Sequence, residues 1–245
     1  MVSVPVMTRA VILQSNYIPW KGYFDLLNSA DVFVVYDSVQ FTKNDWRNRN
    51  KLISPVGPVW LTIPVETSGA FGQTIREVRI ADHRWARKHW STISQTLAKT
   101  AHFSAVKDEW RGWYDAVANF ELLHEVNVHL LSRIALQLGI KTKIVDVAEL
   151  TLSTSDRIER LVEICSLVGA DTYLTGPAGL SYINPKTFAD EGIALEVMRY
   201  DGYPTHAQRS TDFVHGVSIL DLIANTGDAA RTHLRGSIEP VTEHA

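Results

Sequence analysis

The chain of 245 residues contains one cysteine, Cys165, so no intramolecular disulfide framework can form; such economy fits a reducing compartment. No apolar run approaches the roughly 20 residues of a membrane-spanning helix. The N-terminus also lacks a basic stretch followed by an uninterrupted apolar core. A soluble, cytoplasmic protein with no membrane partner is the expectation. A basic excess is missing too: a net charge of −3 and a pI near 6.3 argue against dedicated DNA binding. There is no Gly-x-Gly-x-x-Gly run and no Walker lysine. Histidine is absent from residues 1–82. His124 and His129 are five residues apart, roughly 140° around a helix, too far for one metal. They read as the solvated side of a long helix. No metal and no tightly bound cofactor are expected.

What is present starts with 45% hydrophobic residues, enough for one large core, or a core plus a helical subdomain. An apolar run at 11–13 leads into an aromatic loop at 14–23. A short amphipathic segment (24–30) follows, then a second apolar run (32–36) ending in Asp37. Strand, loop, helix, strand is the grammar of a parallel α/β unit, whose ligands bind beyond the carboxyl ends of the strands. Residues 59–65 read as a third strand, ended by Pro64 and a loop of Thr67, Ser68 and Gly69. Residues 73–80 read as a further short strand. Residues 85–97 and 106–138 carry helical spacing, stopped by Gly139, and form a helical insert at about 84–140. Then come a strand at 143–150, a helix at 156–168 capped from among Ser153, Thr154 and Ser155, a strand at 171–175, and a helix–strand pair ending near Tyr200. The first nine residues and the tail after about 236 look like loose ends. The fold class is α/β, a mainly parallel Rossmann-like (nucleotidyltransferase-like) sheet in one domain spanning 1–245.

Three loops follow strands and hold the candidate ligand contacts. In the loop at 40–51, Lys43, Arg47, Arg49 and Lys51 alternate with Asn44, Asn48 and Asn50. Guanidinium forks suit phosphate or carboxylate oxygens and amides suit sugar hydroxyls; the alternative is a solvated cationic turn. In the loop at 14–23, Gln14 and Asn16 are ligand contacts, while Tyr17, Trp20 and Tyr23 either wall a ring-binding pocket or plug the sheet as core. The turn at Gly176, with Tyr182 and with Ser155 and Arg160 from the preceding helix, is the third part. Gln40 joins the hydroxyl-orienting set, and Asp37 or His89 takes a proton. Residues 19–23 fall where HIGH-type nucleotidyltransferases carry a histidine motif, but no histidine stands here, so that chemistry is not expected. Cys165 is read as a small core hydrophobe, and Asp221 as a helix cap.

Gln14, Asn16, Tyr17, Pro19, Trp20, Gly22, Tyr23, Phe24, Asp31, Phe33, Asp37, Gln40, Phe41, Lys43, Asn48, Arg49, Asn50 and Ile53 together resemble the opening motifs of the WbqC-like proteins. The likeness continues through residues 60–65, Trp85 with Lys88 and His89, residues 160–165, 173–176 and 218–222. It departs at Leu13, where the family has His, at Ser15, where it has Pro, and at Thr205, where a Gln follows Tyr-Pro. The resemblance implies a transferase that attaches an acyl or aminoacyl group, glycyl among them, to the amine of a nucleotide-linked amino sugar or similar metabolite. A carrier protein or aminoacyl-tRNA is then the donor, and the substrate is a small anionic, hydroxylated molecule. A non-catalytic nucleotide- or sugar-binding module, or a scaffold of a polysaccharide or natural-product pathway, is the alternative.

If Arg49 grips an anion, replacing it with Lys keeps the charge and loses the planar fork. Arg49→Lys is expected to leave the Tm nearly unchanged and to weaken binding of a phosphorylated or carboxylated ligand at least about tenfold, or 1.4 kcal/mol. Ligand titration beside thermal unfolding checks this.

Overall fold

Alternation along two short strands sets the layering. In the computed structural model, which describes residues 7–66 and 72–241, the first strand, β1 (Arg9–Leu13), turns Ala10 and Ile12 to one face and Val11 to the other. After α1 (Lys21–Asn28), β2 (Val32–Val35) repeats the pattern, with Val32 and Val34 on one face and Phe33 and Val35 opposite. A strand buried on both faces reads as a continuous apolar run, which is why these two were visible in the sequence.

The chain continues through β3 (Arg49–Ser54), β4 (Gly57–Thr62), α2 (Trp85–Leu97), α3 (Phe103–Val117), α4 (Leu123–Gln137), β5 (Lys143–Asp146) and α5 (Arg157–Leu167). It ends with β6 (Thr172–Thr175), α6 (Pro185–Ala189), β7 (Ala194–Arg199), α7 (Ile219–Thr226) and β8 (Ser237–Pro240). Six strands form one sheet in the order β5-β2-β1-β6-β7-β8, parallel except for β8. One core joins α1, α2, α3, α4 and α7 to the sheet; the other joins α5 and α6 to its opposite face. The sheet is thus an α/β, Rossmann-like layer. From β1 the strand order runs outward in opposite directions, to β2 and to β6, so the crevice expected of such sheets opens beyond the carboxyl ends of β1 and β6.

Several expectations are corrected. The strand read at 59–65 is β4, and it pairs not with the sheet but with β3 in an antiparallel hairpin, Arg49 opposite Thr62 and Lys51 opposite Trp60. The last residues of the supposed polar loop are therefore strand. Residues 73–80 hold a 3-10 turn, Ile75–Glu77, with Thr74 and Glu77 closing a capping box. The helical span at 106–138 breaks into α3 and α4. The cap of α5 is Asp156, which accepts from the Ile158 and Glu159 amides, one place beyond the three hydroxyls. The tail is not loose through 240: β8 pairs with β7, Ile238 opposite Met198. The Thr67, Ser68, Gly69 loop and residues 1–6 lie outside the described residues, while Arg9 already belongs to β1. Gly139 (φ 67°) and Gly169 (φ 70°) end α4 and α5 in the left-handed conformation that favours glycine. Among the described residues no helix is long and apolar enough to cross a membrane.

Trp110 of α3 is fully buried and donates its indole N–H to Oε1 of Gln137, in α4, at 3.0 Å. Trp110→Ala is expected to cost about 3–5 kcal/mol in urea unfolding, and Trp110→Phe clearly less, because only the former empties the site.

Candidate functional site

The loop after β1 and the segment entering β3 are stitched together by amides. The Tyr17 N–H donates to Trp46 O at 3.0 Å. Asn50 Nδ2 donates to Tyr17 O and Ile18 O at 3.1 and 2.9 Å, and its Oδ1 accepts from the Lys51 N–H. Between them Ile18 sits at φ 36°, an uncommon conformation for a β-branched residue that persists because these bonds over-determine it. Arg47 donates to Asn16 Oδ1 and, at 3.2 Å, to Gln14 Oε1. The result is a cavity of about 270 Å³ walled by Asn16, Pro19, Trp20, Trp46, Asn50 and Gly216.

Its two indoles are braced from behind. Trp20 folds over Gly22, where a Cβ would come within 2.3 Å of the ring, and it packs edge-on against Tyr200 at 5.0 Å. Gly176 leaves room for that Tyr200 hydroxyl, 3.1 Å from where its Cβ would stand. Trp46 stacks on Trp60 (5.9 Å, 25°), whose ring carries the Arg49 guanidinium at 4.6 Å. Arg49→Lys thus also acts on the cavity through Trp60 and Trp46.

Beneath the loop lies a polar network buried in the fold. Asp37, with no solvent exposure, accepts from the Ser15 N–H (2.8 Å), Ser15 Oγ (2.6 Å) and His124 Nδ1 (2.7 Å). His124 Nε2 stands 2.9 Å from both Asp146 Oδ2 and Arg76 Nη1. Burial opposes ionisation of Asp146, but the Ala148 amide, Arg76 and His124 hold its pKa below the ordinary value. Asn127 joins Ser15 Oγ and Arg47 O to the same network. The reading of His124 as a solvated residue is therefore overturned; its spacing to Asn127, Leu131 and Ile134 puts it on the inward stripe of α4.

A second buried chain ties α2 and α3 to the loop. Tyr17 Oη lies 2.6 Å from Tyr114 Oη and 2.8 Å from His89 Nδ1, and His89 Nε2 lies 3.2 Å from Thr62 O. Burial pushes the His89 pKa down to about 4. With Nε2–H donating to the Thr62 carbonyl and Nδ1 accepting from Tyr17, the ring is a neutral clamp.

Of the residues named from sequence, Asn16, Trp20 and Asn50 wall the cavity and Gln14 braces it through Arg47. Tyr17 and Tyr23 settle as core, Tyr23 donating to Gln14 O at 2.9 Å; Asn48 is buried and donates to Ile63 O. Asp37 and His89 are enclosed rather than cavity-lining. Gln40 and Lys43 are exposed, and Gln40 bridges to Thr74. Ser155, Arg160 and Tyr182 belong elsewhere: Arg160 donates to Thr154 O, and Tyr182 lies under the Arg157 guanidinium at 3.6 Å. The third wall is instead Gly216, in the irregular segment 203–217, which sequence patterning did not mark. There Asp221 is not the cap of α7, a role taken by Ser218, but a buried acceptor for His206 and Gln208. Cys165 is buried in apolar surroundings, its thiol pushed up to about 12. Among the described residues no group of three or more His, Cys, Asp or Glu side chains is arranged to hold a metal.

The lowered pKa of His89 has a stability signature. The unfolded chain takes up a proton near 6.5 and the folded one near 4, so stability is present above 6.5 and is lost as pH falls from there to 4. The expected loss from this ring is about 3 kcal/mol, and His89→Gln should flatten the denaturation midpoint across that window.

Among curated proteins, the uncharacterized protein Rv1507c of Mycobacterium tuberculosis (strain ATCC 25618 / H37Rv) is 38% identical over 231 residues, covering 94% of this chain and 98% of that relative. No solved structure matches. The family model for the WbqC-like proteins matches residues 14–233, which include every wall of the cavity and the networks beneath it, and the chain belongs to the WbqC-like protein family.

Proposed function

We propose that the protein is a transferase that attaches an acyl or aminoacyl group, glycyl among them, to the amine of a nucleotide-linked amino sugar or a similar small metabolite. The observation that carries this reading is the cavity beyond β1, walled by two indoles, Trp20 and Trp46, together with Asn16 and Asn50. Rings stack on indoles, and the Asn16 Nδ2 is placed to donate to a hydroxyl, its Oδ1 being held by Arg47; Asn50 shapes the wall with its own amide bound to the loop. At about 270 Å³ the cavity falls just under the roughly 300–1,000 Å³ of sites that enclose drug-sized ligands, so it suits one ring and leaves the rest of a nucleotide-linked molecule outside. Arg47, fixed on Asn16 and Gln14, adds a cation behind one wall. The donor in this reading is a carrier-protein thioester or an aminoacyl-tRNA.

A second reading, a module that binds without turnover, is favoured by one observation: the acceptors named for a proton, Asp37 and His89, are enclosed and fully hydrogen-bonded. Incubation with UDP-glucosamine and glycyl-tRNA, followed by mass spectrometry, separates the two: a glycyl adduct supports transfer, and stoichiometric binding without adduct supports the module.

Trp46 is 43% exposed, so its removal should disturb folding little. Trp46→Ala is expected to weaken UDP-glucosamine at least about tenfold in calorimetric titration, in line with about 1–3 kcal/mol for loss of a stacking partner. Undiminished affinity would remove the cavity from consideration as the ring site.

A further inference from the structure

A buried cation beside the cavity lacks a counter-charge. Lys21, in the first turn of α1, is 2% exposed, and its Nζ donates to Pro204 O at 2.8 Å. The rings of Tyr203 and Phe213 lie 5.0 and 5.4 Å from that nitrogen. Among the described residues no carboxylate oxygen comes within 4.0 Å of it. An ammonium has three donors, and burying it without an anion is costly. Burial alone lowers its pKa to about 8.

The nearby carboxylates are committed elsewhere. Asp25, one turn further along α1, accepts from Tyr203 Oη and the Gly236 N–H, both at 2.6 Å. Asp221 of α7 accepts from His206 Nε2 and Gln208 Nε2, both at 2.9 Å. The His206 side chain is 3% exposed, and its Nδ1 is buried with no hydrogen-bond partner. His215, exposed, has its pKa lowered by burial and by the neighbouring Lys21 and His206. His233 completes the surroundings, its ring 6.1 Å from that of His206. The chain neighbours of this cluster, Trp20 before Lys21 and Gly216 after His215, are cavity walls.

We propose that Lys21, His206 and His215 form an anion-binding subsite beside the ring cavity, which takes the phosphate oxygens of the ligand. It rests on the proposed function for its place in a larger ligand, and it names the class of that ligand as a phosphate ester or anhydride. Lys21 supplies the charge, His206 is held by Asp221 with one nitrogen free, and His215 closes the outer side.

Inorganic pyrophosphate tests the subsite with the full chain, because it carries neither sugar nor amine. Calorimetric titration should show binding, with affinity lowered at least about tenfold in Lys21→Met and about threefold in His215→Ala, and unchanged in Lys107→Ala, an exposed cation on α3. From pH 7 to 9 the affinity should fall as Lys21 loses its proton. Pyrophosphate becomes more negative over that range, so the fall reports on the protein. The proposal is overturned if the wild-type chain does not bind pyrophosphate, if affinity survives in both subsite variants, or if Lys107→Ala weakens it as much as they do. Should Lys21→Met fail to fold, His215→Ala decides, and unchanged affinity there is a refutation. Pyrophosphate binding without UDP-glucosamine binding would keep the subsite and sink the amino-sugar reading; the opposite pattern would sink the subsite alone.

Discussion

Asp37 is the charge around which this molecule is assembled. A carboxylate with no solvent exposure costs several kcal/mol unless donors replace its water, and here three do: two from Ser15 and one from His124. Those donors come from the loop after β1 and from α4, while Asp37 itself follows β2. The loop, the sheet and the helical insert are therefore joined at one point. Removing any donor would leave a buried charge short of partners, so the three elements are coupled more tightly than their apolar contacts alone require.

The same logic fixes the cavity. Asn50 spends its amide on two carbonyls of the loop and holds Ile18 in a backbone conformation that a β-branched residue seldom takes. One face of the loop is pinned by the hairpin through Asn50, another by Arg47 through Asn16 and Gln14, and the Tyr17 ring is locked by Tyr114 and His89. A site built this way is preorganised, and a ligand need not supply the ordering energy.

Much of this was legible from local pattern. The apolar runs of β1 and β2, the glycine stops after α4 and α5, and the density of amides and aromatics at 14–20 and 46–50 are short-range signals, and they led to Asn16, Trp20 and Asn50. What was not legible depended on distant partners. Thr62 and Arg49 share a hairpin because their strands pair, and nothing in residues 59–65 alone distinguishes that from a place in the main sheet. His124 looked solvated beside His129 and Glu125, although the 3–4 spacing to Asn127, Leu131 and Ile134 was there to be read. Lys21 and Asp221 gave no warning, because a buried charge is recognisable only once its surroundings are known. β8 is four residues with Pro240 and two polar side chains, too short and too polar to stand out until β7 supplies its hydrogen bonds.

The distribution of the seven tryptophans has a consequence of its own. Trp85, Trp110 and Trp113 are buried in the helical layer with Trp90 half-buried beside them, whereas Trp20 and Trp46 form two walls of the cavity and Trp60 stacks behind Trp46. Occupation of the cavity changes the surroundings of Trp20 and Trp46 directly, whereas Trp110 and Trp113 form no part of its wall. The protein therefore carries its own optical reporter, a partly wet, red-shifted emission component sensitive to whatever enters, over a blue-shifted background from the core.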